Sequence, residues 1–66
     1  MTRAAPIRVL IGDDNADIRG LLHRLVDREP DMEVVGEIDT ADKLPAAIEA
    51  TRPVVVLIDL AMPGQA

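Results

Sequence analysis

Three acidic side chains in this 66-residue chain stand where carboxylates can do chemistry. Asp13 and Asp14 follow directly on the run Ile7-Arg8-Val9-Leu10-Ile11-Gly12, and Asp59 follows directly on Val54-Val55-Val56-Leu57-Ile58. Each run reads as a strand that stops where the acids begin. Neighbouring strands lie about 4.8 Å apart, so if these two are adjacent, three carboxylates crowd one small cleft. Like charges that close repel strongly, and a hard divalent cation held by carboxylates, carbonyls and water relieves the conflict. A blander use competes. Acidic residues after strands also form turns and cap helices, as Asn15 and Asp17 can here. The Asp13-Asp14 pair alone is as well explained by a turn as by a site. Its coincidence with Asp59 at the end of a wholly apolar strand is what favours a site.

The elements that must position these acids follow from the pattern along the chain. Ile18, Leu21, Leu22, Leu25 and Val26 recur at helical spacing, with Asp17, Arg19, His23, Arg24 and Arg28 on other faces, which predicts an amphipathic helix. Asn15 is a fitting N-cap, and Pro30 ends the helix after Glu29. Met32 to Ile38 reads as a second strand of less regular pattern. Asp39-Thr40-Ala41-Asp42 reads as a cap region. Leu44, Ala47, Ile48 and Thr51 then share one face of a second, weaker helix. Pro45 fits only a first turn, so that helix starts near Asp42 and ends at Arg52-Pro53. Val54 to Ile58 is continuously apolar, as a strand buried on both faces is. Asp59 to Gly64 has turn chemistry. The order β-α-β-α-β predicts an α/β fold with a parallel sheet, whose loops at the strands' carboxyl ends hold the chemistry.

Composition excludes several classes of function. Twelve acidic against seven basic residues leave a net charge of −5, and there is no Phe, Trp or Tyr. Nucleic-acid binding needs basic density, and single-strand binders add stacking aromatics, so this segment is not expected to touch nucleic acid. At 48% apolar residues the chain has enough hydrophobic content to fold. It has no cysteine and therefore no disulfide. His23 falls on the polar side of the first helix and reads as solvent-facing, since no second His or Cys exists to share an ion. Met32 and Met62 read as packing or loop residues. The longest apolar run is too short to span a bilayer, so no membrane association and a cytoplasmic location are expected. No G-x-G-x-x-G follows a strand, which leaves a dinucleotide site unsupported.

Asp13-Asp14 after the first strand and Leu57-Ile58-Asp59-Leu60-Ala61-Met62-Pro63-Gly64 after the third together resemble the response-regulator receiver domain of two-component signalling. The stretch Glu29-Pro30-Asp31-Met32-Glu33-Val34-Val35-Gly36-Glu37 is similar to the same region of NarL/LuxR-type transcriptional regulators. The likeness runs from Ile7 to Gly64. It implies a partial doubly wound, flavodoxin-like parallel sheet of strand order 2-1-3, with residues 1–6 a tail and 7–66 the N-terminal half of a receiver domain. It also implies that Asp59 is the phosphoacceptor, loaded from the phosphohistidine of a sensor histidine kinase. Asp14 matches the direct Mg2+ ligand, and Asp13 the second acidic residue, binding the ion directly or through water. Asp59 itself and the backbone carbonyl of Ala61 complete the implied ligand set. The intact protein would control transcription, and the module would be no enzyme beyond its own phosphorylation and dephosphorylation.

The likeness also has gaps. A receiver has five β/α units, and this chain supplies the first two and a half. The family's switch Ser/Thr after the fourth strand and Lys after the fifth have no counterpart. Lys43, Thr40 and Thr51 stand elsewhere in the pattern and are not expected to replace them. The chain is therefore expected to be a truncated receiver, impaired in transfer and switching. Its third strand becomes an edge with unpaired N–H and C=O groups, a template for another chain. That predicts a homo-oligomer formed through the third-strand edge, or a missing C-terminal half that covers it. A non-catalytic interaction fragment pairing through this edge is the alternative. A phosphohydrolase of the haloacid-dehalogenase kind would want a second Asp two residues after Asp59, and position 61 is alanine.

Overall fold

The structure, a computed structural model, describes residues 5–64. The part of the expected tail at 1–4, and residues 65 and 66, lie outside them. Strand β1 spans Ile7–Gly12, helix α1 Ala16–Asp27, strand β2 Met32–Ile38, helix α2 Leu44–Thr51 and strand β3 Val55–Ile58. A single 3-10 turn, Ala41–Lys43, precedes α2. The sheet is parallel, as the alternation of elements predicts, and its order is β2-β1-β3, as the receiver resemblance implies. β1 is the central strand, and Val9, Leu10 and Ile11 are fully buried.

Alternate residues of β1 point to opposite faces, and each face receives one helix. Val9 and Ile11 pack with Val26 and Leu22 of α1, joined by Met32, Val34 and Val55. On the other face Leu10 and Thr51 close on Gly36, where an added Cβ would come within 3.1 Å of Leu10 and 3.2 Å of Thr51. Glycine is what lets α2 approach β2 there.

β2 is irregular for a definite reason. Its pairing with β1 runs Ile7↔Met32, Arg8↔Glu33 and Val9↔Val34, and then skips to Leu10↔Gly36. Val35 is thus an inserted residue, a β-bulge. A one-residue slip exchanges the faces of everything after it. Met32 and Val34 face α1 before the bulge. After it Glu37 faces α1, and Gly36 and Ile38 face the α2 side.

Asn15 caps α1 as its residue type predicts, its Oδ1 accepting from the N–H groups of Asp17 (2.9 Å) and Ile18 (3.1 Å). Such a cap contributes about 1 kcal/mol. The cap expected at Thr40 is not made. Thr40 precedes the 3-10 turn with no side-chain bond to it, and its Oγ1 is buried without a partner. The second helix also begins later than Asp42, because the chain first closes the 3-10 turn and places Pro45 in the helix's opening positions. At its far end Arg52 adopts a left-handed φ of 49°, and the Arg8 guanidinium donates to the terminal carbonyls of Thr51 (3.1 Å) and Arg52 (3.4 Å).

β3 corrects the expectation of burial on both faces. It starts at Val55, and Val54, Val56 and Leu57 are 73%, 36% and 37% exposed. Only β1 flanks it, so its outer side has no cover among the described residues. The same lack of a flanking element leaves Ile18, Leu21 and Leu25 of α1 exposed although they belong to its apolar stripe. No helix among the described residues is long and apolar enough to cross a membrane.

Candidate functional site

The adjacency of β1 and β3 decides the site. Gly12 pairs with Ile58, so the residues that follow leave the sheet side by side. The Asp59 N–H donates to the Gly12 carbonyl at 2.9 Å, which extends the pairing one step into the loops. Asp13, Asp14 and Asp59 each bring one carboxylate oxygen to within 4.8 Å of the others. Asp13 is buried, Asp59 half-buried and Asp14 exposed, so the cluster opens to solvent on one side.

Each loop is held by its own backbone. The Asp13 N–H donates to the Ile38 carbonyl (3.1 Å), and its Oδ1 accepts from the Asn15 N–H (2.9 Å). Oδ1 of Asp59 accepts from the Ala61 N–H (2.9 Å), and its carbonyl accepts from the Met62 N–H (3.1 Å). The acid's direction is therefore set by the turn that follows it. Met62 is 2% exposed and anchors that turn, with its Cε 3.2 Å from where a Cβ on Gly12 would lie. The Pro63 carbonyl accepts from the Ala41 N–H (2.8 Å), and Gly64 follows at φ 95°. A Cβ on Gly64 would fall 2.7 Å from Asp42 Oδ1, so both conformation and space demand glycine.

The other residues weighed in the sequence lie apart from this cluster. Lys43 pairs with Asp39 at 2.7 Å, and their contact lowers the Asp39 carboxyl pKa and raises that of the Lys43 ammonium. The Thr51 hydroxyl donates to the Ala47 carbonyl within α2. His23 is partly exposed but engaged: Nδ1 lies 2.8 Å from Glu37 Oε2 and Nε2 lies 3.2 Å from Asp27 Oδ2. The hydrogen bond to Glu37 is the main cause that lifts its pKa above 6.5, with the nearby Asp27 charge adding to it.

Arg19, which sequence reasoning left without a role, touches the acidic loop, and Glu37 in turn holds Arg19. Arg19 Nη1 donates to the Asp13 carbonyl (2.8 Å), and Arg19 Nε lies 3.2 Å from Glu37 Oε1. Both also line a groove of about 330 Å3 with Ile38, Asp39 and Lys43. The only sequence signal was an arginine in the first turns of α1, and the bulge that turns Glu37 toward it is invisible in a periodicity count.

No family model matches the chain. Individual proteins do. It is 39% identical over 61 residues to a protein-glutamate methylesterase/protein-glutamine glutaminase from Nitrobacter hamburgensis, covering 92% of this chain and 16% of that protein. A protein of the same name from Caulobacter vibrioides is 42% identical over 60 residues, covering 91% and 17%. In three dimensions the chain superposes on the signal receiver domain of NarL from Mycobacterium tuberculosis with a TM-score of 0.89 at 34% identity, covering 94% of this chain and 50% of that one. This is a response-regulator receiver segment. The receiver likeness read from the two acidic loops therefore stands, and so does the 2-1-3 sheet order it implied. The segment spans about half of the matched receiver structure and 16% to 17% of the length of these two esterases.

Proposed function

We propose that this receiver segment takes a phosphoryl group on Asp59 from the phosphohistidine of a sensor histidine kinase, with Mg2+ held at Asp13, Asp14, Asp59 and the Ala61 backbone carbonyl. The observation that carries the reading is the meeting of three carboxylate oxygens within 4.8 Å at the ends of two hydrogen-bonded strands. The donor set fits the ion. Every side-chain donor is a hard carboxylate oxygen, there is no sulfur or imidazole in the cluster, and one side is open for the waters that Mg2+ retains. Mg2+, when bound, offsets the charge on acceptor and phosphoryl oxygens.

The chain's own residues supply the nucleophile and its aim. The Ala61 N–H grips one oxygen of Asp59, which orients the carboxylate as a whole. A carboxylate oxygen of Asp59 bonds to phosphorus as the P–N bond to the donor breaks, leaving its electron pair on the imidazole. Positioning and electrostatics are most of what such a transfer needs. Lys43 is committed to Asp39 and does not stand at the cluster. On this reading the chain acts in the cytoplasm, does not bind nucleic acid itself and catalyses nothing beyond its own phosphorylation and dephosphorylation. The output is set outside the segment. The stretch 29–37 speaks for a transcriptional regulator, and the methylesterase relatives speak for an attached enzyme.

The test is incubation of the chain with a small acyl phosphate and Mg2+, followed by intact mass. One phosphoryl adduct that disappears with Asp59→Asn is expected. An adduct that survives Asp59→Asn, or none in the unaltered chain, refutes the assignment. A second reading is favoured by the exposed apolar edge of β3, namely pairing with a second copy of the chain without chemistry.

A further inference from the structure

We infer that Arg19 is a positioning residue for the acidic cluster, acting on the peptide that joins Asp13 to Asp14. This rests on the cation reading proposed above. The Asp13 carbonyl that Arg19 Nη1 grips at 2.8 Å belongs to the Asp13–Asp14 peptide group itself. Peptide groups are planar, so holding that oxygen fixes the plane from which the Asp14 side chain departs. The N–H and side chain of Asp13 are already held, by the Ile38 carbonyl and the Asn15 N–H. Among the described contacts Arg19 supplies the remaining constraint on the elbow, and Asp14, the exposed acid, has most to lose from its release.

The guanidinium is itself braced. Its Nε lies 3.2 Å from Glu37 Oε1, and the other oxygen of Glu37 lies 2.8 Å from His23 Nδ1. Two donors of one rigid fork thus reach two acceptors on different elements, a geometry lysine cannot copy. Charge makes the arrangement informative. A cation beside a cation site is adverse on its own, and Glu37 balances it locally. Removing a bystander cation would tighten Mg2+ binding, whereas removing a brace weakens it. The two roles therefore predict opposite signs.

The experiment is a MgCl2 titration of the full chain followed by 15N amide NMR, for the unaltered protein, Arg19→Lys, Arg19→Met and Glu37→Gln. Arg19→Lys keeps the charge and loses the fork. Arg19→Met loses both. Glu37→Gln keeps the fork and loses its ionic brace; because it also removes an anion near the site, it is read by the Asp14 and Asn15 amides, and these carry the test should the Arg19 variants not fold. Outer residues that orient metal ligands typically contribute tenfold or more in affinity, so both Arg19 variants are expected to bind Mg2+ roughly tenfold more weakly. In metal-free samples the Asp14 and Asn15 amides should shift and exchange faster, while those of Val9 to Ile11 stay in place. Unchanged affinity in Arg19→Lys with tighter binding in Arg19→Met would overturn the proposal, as would undisturbed Asp14 and Asn15 amides. If the unaltered chain takes up no Mg2+ yet Arg19→Lys loosens those amides, the brace stands and the cation reading falls instead.

Discussion

Met62 offers the sharpest test of how the acceptor loop is seated. Its side chain is 2% exposed in a small protein, wedged against Gly12 at the end of the central strand. Truncation to alanine removes the only buried side chain among described residues 59–64. Burying a methionine contributes about 1.5–3 kcal/mol in transfer terms, and Met→Ala in a core costs about 2–5 kcal/mol once the cavity is included. The loop over Met62 is a single layer with exposed neighbours on both sides, so it can settle and the lower end applies, about 2 kcal/mol. At roughly 7 °C per kcal/mol for a domain this small, the unfolding midpoint should fall by roughly 15 °C. Circular dichroism at 222 nm during thermal and urea unfolding reads this at a fixed protein concentration, since the chain has no aromatic residue to follow by fluorescence. Met62→Leu keeps the volume and should cost less than about 1.5 kcal/mol. A loss below about 1 kcal/mol for Met62→Ala, or equal losses for both variants, would refute the claim that this side chain anchors the loop carrying Asp59.

Two further outcomes follow from the geometry. The Glu37 contact raises the folded-state pKa of His23, so the folded chain holds that proton more tightly than the unfolded one. The stabilisation is complete below the ordinary value of 6.5 and disappears as pH rises through the raised value. Urea midpoints across that window should fall with rising pH and flatten in His23→Gln, and identical slopes would remove the ion pair from the account. For the β3 edge, the Asp59 N–H points to β1, so alternation along a strand places the Val56 N–H on the open side. Proline is tolerated on such a side while blocking a new partner, so Val56→Pro should abolish self-association and leave the fold in place. Sedimentation of a persistent oligomer in that variant would end the pairing reading.

Much of this molecule is written locally. The β1 and β2 bounds, the Asn15 cap and the parallel order follow from period, residue type and alternation, because each depends on contacts a few residues apart or on a rule of chain connection. The acids at the strand ends were equally legible, since a strand that stops at a carboxylate is a one-dimensional feature. Their meeting was not legible from spacing or periodicity, and only the family resemblance implied it. It required β1 and β3 to be neighbours in register, Gly12 opposite Ile58, and register is a property of two segments together. The apolar run of β3 suggested burial on both faces, but composition records what a strand could bury and only the sheet order shows what covers it. The deepest divide lies at Val35. One extra residue in β2 exchanges the faces beyond it, carrying Glu37 to Arg19 and His23 and Ile38 to Gly12. No count along the chain reveals that slip, because a bulge is defined against the strand it pairs with.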